Sequence, residues 1–328
     1  MSDLSQHQKR VFRVKKRGSE LFPIIQNGKY GYVDRIGKVV IKPQFNYAWD
    51  FYEEVAVVNI GCKIIDKELK GGKWGYIDRL GNYLIKPQFR SANRFSEGLA
   101  SVSINGKFGY YDKGGMCVIR PQFELVGRFS EGLAWVWIDG KCGFIDKIGK
   151  LIIKPQFDYI EGFSEGFACV GIDGKQGFID RMGEYIIDLQ FDLAHGFSEG
   201  LACVGDDRYK YGYIDKKGRI IVNLQFDLAG SFSEGLAWVE IGGKCGYIDK
   251  NGEMVIDPQF DEPLEFSEGL AGAKIGERWG YIDNMGKYVI PPQFDGAMCF
   301  HNGLAKVKIG KKWSYIDKTG KYVWNSQI

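Results

Sequence analysis

The chain has 328 residues, 45% hydrophobic and 26% charged, with a formal net charge of +3. That composition excludes a disordered chain, and so small a charge gives no argument for a nucleic-acid partner. No run reaches the roughly 18 apolar residues of a membrane-spanning helix, and the seven cysteines form no CxxC or Cys/His cluster, so no metal and no cofactor is expected.

Residues 1–20 carry six Lys/Arg against Asp3 and Glu20 and contain no apolar signal core. This predicts a cytoplasmic chain with reduced thiols. The segment reads as a solvated basic tail, the one part of the chain suited to RNA or anionic lipid, or as a cap through Val11, Phe12 and Val14.

From Leu21 to the end the sequence repeats. A glycine recurs at Gly31, Gly75, Gly109, Gly143, Gly177, Gly212, Gly246 and Gly280, with Ser314 in the ninth place. An aspartate follows three residues later every time, at Asp34, Asp78, Asp112, Asp146, Asp180, Asp215, Asp249, Asp283 and Asp317. A Gln-Phe pair closes the units from Gln44-Phe45 to Gln293-Phe294, and Phe-Ser-Glu-Gly follows between Phe95 and Gly269. Helices are excluded because Gly or Pro interrupts every unit and no apolar i, i+3, i+4, i+7 pattern runs for a helix length.

The unit at 99–123 shows the plan. Residues 99–104 read as strand A, and Asn105-Gly106 is a two-residue hairpin turn. Residues 108–112 read as strand B, and Asp112 opens a second turn whose backbone its carboxylate can bond. Residues 116–123 read as strand C, ended near Pro121, which can donate no ladder bond. Each unit is thus a three-stranded antiparallel meander, with about nine connector residues to the next. The second unit carries an insertion, 61–72, that lengthens its A–B hairpin and brings Lys63, Lys67 and Lys70 beside Ile64 and Ile65. Insertions in repeat arrays fall in loops and often bind partners.

The segment Gly72-Lys-Trp-Gly-Tyr-Ile-Asp-Arg-Leu-Gly-Asn-Tyr-Leu-Ile-Lys-Pro-Gln-Phe89, followed by Phe95-Ser-Glu-Gly-Leu-Ala-Ser-Val, resembles the WG (KWG) repeat, and the resemblance covers the chain from Leu21 to about Trp324. It implies a mostly bacterial family of long arrays that mediate interactions, with no catalytic residues. The tryptophan is kept at Trp74, Trp279 and Trp313 and replaced elsewhere by Tyr30, Phe108, Cys142, Gln176, Tyr211 and Cys245.

Nine unsplit meanders, entering on a strand A and leaving on a strand C, predict an all-β open superhelix of stacked units. The alternative is a closed propeller-like ring, although nine blades exceed the usual four to eight. The recurring carboxylates read as structural turn groups, since catalysis needs one special constellation. The predicted function is a non-enzymatic scaffold binding protein or peptide. A carbohydrate-binding module is the alternative, using Trp135, Trp137 and Trp238 as an aromatic stripe, and a hydrolase with an unrecognised site ranks last. Packing competes for those tryptophans: Trp135 and Trp137 accompany small Cys142, and Trp238 accompanies Cys245, as volume exchange across a hairpin requires. On that account Trp137 and Trp238 are mostly buried between units.

Overall fold

A computed structural model describes residues 20–65 and 68–325. Apart from Glu20, the tail or cap expected at 1–20 lies outside the described residues, as does Lys67. Nine antiparallel sheets follow one another along the chain, at 21–45, 47–89, 91–123, 125–157, 159–191, 193–226, 228–260, 262–294 and 296–324. These are numbered here as blades 1 to 9.

The hairpin registers follow the turns. In blade 3, Ser103 faces Phe108 and Ser101 faces Tyr110. Strands B and C then slip: Phe108 pairs with Phe123 but Tyr110 pairs with Ile119, so two extra residues of strand C arch over Gly109. A Cβ on Gly109 would stand 2.4 Å from the Ile119 carbonyl oxygen. This close approach accounts for the recurring glycine and for the proline in the arch, where no ladder bond is needed. In blade 9 the described part of strand C ends at Trp324, paired with Tyr315, and there the glycine is replaced by Ser314.

The connectors hold more structure than the sequence suggested. Two residues of each, such as Ser91–Ala92, pair with the following strand A and make a fourth strand. The Phe-Ser-Glu-Gly segment then turns into strand A, with mutual backbone bonds between Ser96 and Leu99 of 2.9 and 3.1 Å. Glu97 and Gly98 take φ of 52° and 85°, as a tight two-residue turn demands.

Successive blades pack face to face through one repeated contact. The strand-B aromatic of each blade meets the connector phenylalanine of the next, as in Tyr76–Phe95 at 4.9 Å, Phe144–Phe163 at 4.7 Å and Tyr281–Phe300 at 4.8 Å between ring centres. The ninth such contact runs from the last blade to the first. Tyr315 meets Phe22 at 5.4 Å, and its hydroxyl donates to the Pro23 carbonyl at 3.0 Å. Phe22, Ile24, Val33, Leu304 and Tyr315 form one buried cluster across this seam. The molecule is therefore a closed nine-bladed β-propeller ring, the alternative arrangement, and not the open superhelix expected.

The physical reason lies at Phe22. The equivalent position in the other eight blades is a buried alanine, from Ala56 and Ala100 to Ala305. The enlarged side chain supplies, from strand A itself, the ring that a connector phenylalanine supplies elsewhere. Closure by this packing needs no blade split between the two ends of the chain.

Candidate interaction surface

The nine turn aspartates bond their own backbones. Asp146 Oδ1 accepts from the amides of Ile148 at 3.0 Å and Lys150 at 2.8 Å, and Asp34, Asp78, Asp180, Asp215, Asp249, Asp283 and Asp317 do the same. Asp112 takes the Met116 amide. At Asp249 desolvation pushes the carboxyl up, but the amides of Glu253 and Asn251 outweigh it and hold it below the ordinary range.

The glutamates of Phe-Ser-Glu-Gly reach across blades, a role the sequence did not reveal. Glu97 accepts from the Gly132 amide at 3.0 Å and pairs with Lys147 at 3.0 Å, both in the next blade. Glu53, Glu165, Glu199 and Glu268 repeat the arrangement. The serine joins them: Ser96 Oγ donates to the Phe129 carbonyl at 2.6 Å. The motif is thus a girdle between blades.

A second ladder links the residue two before the recurring glycine to the residue that follows Gln-Phe of the same blade and leads into the next. Lys141 meets Asp158 at 2.5 Å, Lys175 meets Asp192 at 2.6 Å, and Lys244 meets Asp261 at 2.6 Å. Lys210 with Asp227, Arg278 with Asp295 and Lys107 with Glu124 continue it. The second carboxylate oxygen caps the following A–B turn, as when Asp261 accepts the Gly276 amide at 2.6 Å. Between blades 2 and 3 the ladder breaks. The two positions hold Lys73 and Arg90, both exposed cations, and among the described residues neither has an ion-pair partner.

The inserted hairpin stands at that break. Strands A and B of blade 2 run to ten residues each, Ala56–Ile65 and Glu68–Ile77. Lys63 lies opposite Lys70, and Ile64 opposite Leu69. Ile64 is 65% exposed, Ile65 45% and Leu69 39%. Lys70 pairs with Glu68 at 3.6 Å. The base is held firmly: Asn46 Oδ1 accepts from the Gly61 amide at 2.9 Å and from Lys29 at 3.1 Å, and buried Asn59 accepts from the Cys62 amide at 3.1 Å. Gly61 and Gly72 take φ of 89° and 72°, left-handed backbone that glycine adopts freely, at the point where the hairpin leaves the sheet. A cavity of about 380 Å³ beside it is lined by Leu69, Lys70, Gly71, Gly72, Trp74 and Arg90.

The three candidate tryptophans are not gathered into one stripe. Trp135 and Trp137 belong to blade 4 and Trp238 to blade 7, all half-buried against the cores between blades. Trp137 faces Cys142, as expected. Trp238 does not face Cys245; it faces Tyr247, and Glu240 faces Cys245. The small partner of Trp238 is Gly230 in the connector, where a Cβ would come within 2.1 Å of the indole nitrogen. Trp135 lies on Gly127 in the same way. The reverse exchange occurs in blade 8, where Gly272 makes room for Leu264. Volume is traded between strand A and the connector strand that pairs with it.

Two larger cavities, about 500 and 720 Å³, flank strand A of blade 1 at the seam, one beside Trp49 and His301 and the other beside Trp313 and Trp324. In the other blades that edge is covered by the short connector strand; the matching positions here precede Glu20 and lie outside the described residues.

Comparison with solved structures supports the architecture. A eukaryotic initiation factor aligns over 92% of this chain and 88% of its own, at 10% identity and a TM-score of 0.59. The computationally designed Ika8 protein aligns over 93% and 98%, at 12% identity and a TM-score of 0.51. At such identities the likeness is one of fold. A search of curated proteins finds no match. The family model described as "WG containing repeat" matches residues 30–63, 74–108, 108–142, 143–175, 177–207, 211–245, 246–279 and 279–313. The chain belongs to the WG-containing repeat family.

Proposed function

We propose that this propeller is a non-enzymatic scaffold that binds a protein or peptide partner through the long hairpin of blade 2. The observation that carries the reading is the hairpin itself: a rigidly based projection with Ile64, Ile65 and Leu69 exposed at its sides, flanked by Lys63 and Lys70. Exposed apolar residues rimmed by charge are the composition of a contact surface. The half-buried tryptophans have their volume accounted for by Gly127, Cys142 and Gly230, so they rank below the hairpin as contacts.

The test compares the intact protein with a variant whose residues 61–72 are replaced by Asn-Gly, the turn that blade 3 already uses. A stoichiometric protein partner captured by the intact chain is expected to be lost from the variant, with circular dichroism and melting temperature unchanged. Capture that survives the replacement, or saturable glycan binding that survives it, overturns the reading.

A further inference from the structure

The break in the Lys–Asp ladder shows what chemistry the surface beside the hairpin fits. In the other seven steps from blade 1 to blade 9, a lysine or arginine is met by a side-chain oxygen of the residue that leads into the next blade, carried by Asn46, Glu124, Asp158, Asp192, Asp227, Asp261 or Asp295. The same residue often caps a backbone amide, so one carboxylate satisfies a cation and an N–H together, as Asp227 does with Lys210 and the Gly242 amide at 2.7 Å. Lys141 and the Asp173 amide hold the Asp158 carboxyl below its usual range.

At the blade 2–3 step the cation Lys73 is present and the turn amide of Asn105 is present, but the acid is Arg90. Two cations and an amide therefore hold the repeat positions at which the other steps place a cation, a side-chain oxygen and an amide. Leu69 and Trp74 line a cavity with Arg90, and Ile64 lies opposite Leu69 on the hairpin.

We infer that this step is a receptor for an acidic peptide segment, whose carboxylate takes the place of the missing aspartate while its apolar side chains rest on the hairpin. The inference rests on the reading of the hairpin as the partner-binding element and names the partner's chemistry. A nucleic acid would satisfy the cations but leave Ile64, Ile65 and Leu69 without apolar partners, so the peptide is favoured.

The experiment is fluorescence anisotropy with three labelled probes: a peptide alternating Glu and Leu, the same peptide with Gln for Glu, and single-stranded oligothymidine. Each is titrated with the intact protein, with Arg90→Asp and with the shortened-hairpin variant. Arg90→Asp restores the ladder's own acid opposite Lys73, so it is expected to fold and to melt no lower than the intact protein. The Glu-Leu peptide is expected to bind saturably and more weakly as salt rises, since exposed charges are screened within about 8 Å at physiological ionic strength. Its affinity should fall about tenfold or more in Arg90→Asp, where attraction becomes repulsion, and the Gln peptide should show the same loss on the intact protein. Binding that needs the hairpin but is unchanged by Arg90→Asp, or equal for the Gln peptide, overturns the acidic assignment and leaves the scaffold reading standing. Failure of the Glu-Leu peptide to bind, or oligothymidine binding that depends on Arg90 in its place, also overturns the assignment. Loss of neither variant's binding overturns both.

Discussion

Trp137→Ser separates packing from ligand contact. The indole faces Cys142 across the A–B hairpin of blade 4 and has Leu125 of the short strand on its other side. Cys142 is 3% exposed, and burial pushes its thiol up to about 11, so it acts as a neutral space-filling group. Removing a fully buried large aromatic costs about 3–5 kcal/mol. Trp137 is half-buried, so about 1.5–2.5 kcal/mol is expected. With an unfolding entropy of about 2.1 cal/mol/K per residue, a single cooperative transition of this chain would shift by about 2–4 °C. Native blades already hold the reverse arrangement, with Trp279 on strand B facing Lys274 on strand A. The double variant Trp137→Ser, Cys142→Trp should therefore recover about half of the loss, measured by thermal and urea unfolding as a double-mutant cycle. A melting temperature unchanged in Trp137→Ser, together with lost partner binding, would refute the packing account and return this residue to the binding surface.

Three further outcomes follow from the repeat. Gly109→Ala places a methyl 2.4 Å from the Ile119 carbonyl and should cost about 3 kcal/mol as overpacking, whereas Gly162→Ala, where an added Cβ meets nothing within 4 Å, should cost well under half of that; equal effects in unfolding titrations would discredit the arch explanation. Asp146→Ala removes the acceptor for two backbone amides and should cost about 1–2 kcal/mol, with Asp146→Asn milder and EDTA without effect on melting; a chelator that melts the intact protein would instead indicate a metal role. Burial tends to raise the carboxyls of Glu97, Glu165 and Glu199, but the lysine and glycine N–H bonds outweigh it and leave them lowered. Their contribution is thus present above the ordinary carboxylate pKa of about 4.3 and is lost as pH falls through the lower folded values. A Glu97→Gln, Glu165→Gln, Glu199→Gln variant should show a shallower loss of melting temperature between pH 5 and 3 (roughly one unit either side of that pKa), and an unaltered slope would count against the girdle.

Much of this molecule was legible in its sequence because the repeat states each local rule nine times. The Asn105-Gly106 turn fixed the register that places Ser103 against Phe108, and the aspartate after strand B announced its turn. Other features were hidden for identifiable reasons. A two-residue strand such as Ser91–Ala92 has no alternation to detect. Reading the connector as a loop also misassigned Trp238 to Cys245, because its true counterweight, Gly230, sits in that connector. Ring closure was signalled by one residue, Phe22, where eight alanines stand, and the signal is meaningful only once the alanine position is known to face the neighbouring blade. The candidate surface was half visible: the hairpin's lysines and isoleucines stand out as an insertion, but Arg90 becomes unusual only beside Asn46 and the six carboxylates that hold its position at the other steps.

The most direct test of the architecture is small-angle X-ray scattering on the intact monomer. A closed ring held at the Phe22–Tyr315 seam predicts a compact, disc-like particle whose pair-distance distribution ends at the diameter of the nine-bladed ring. A long, tailing distribution from an extended array of blades would contradict it.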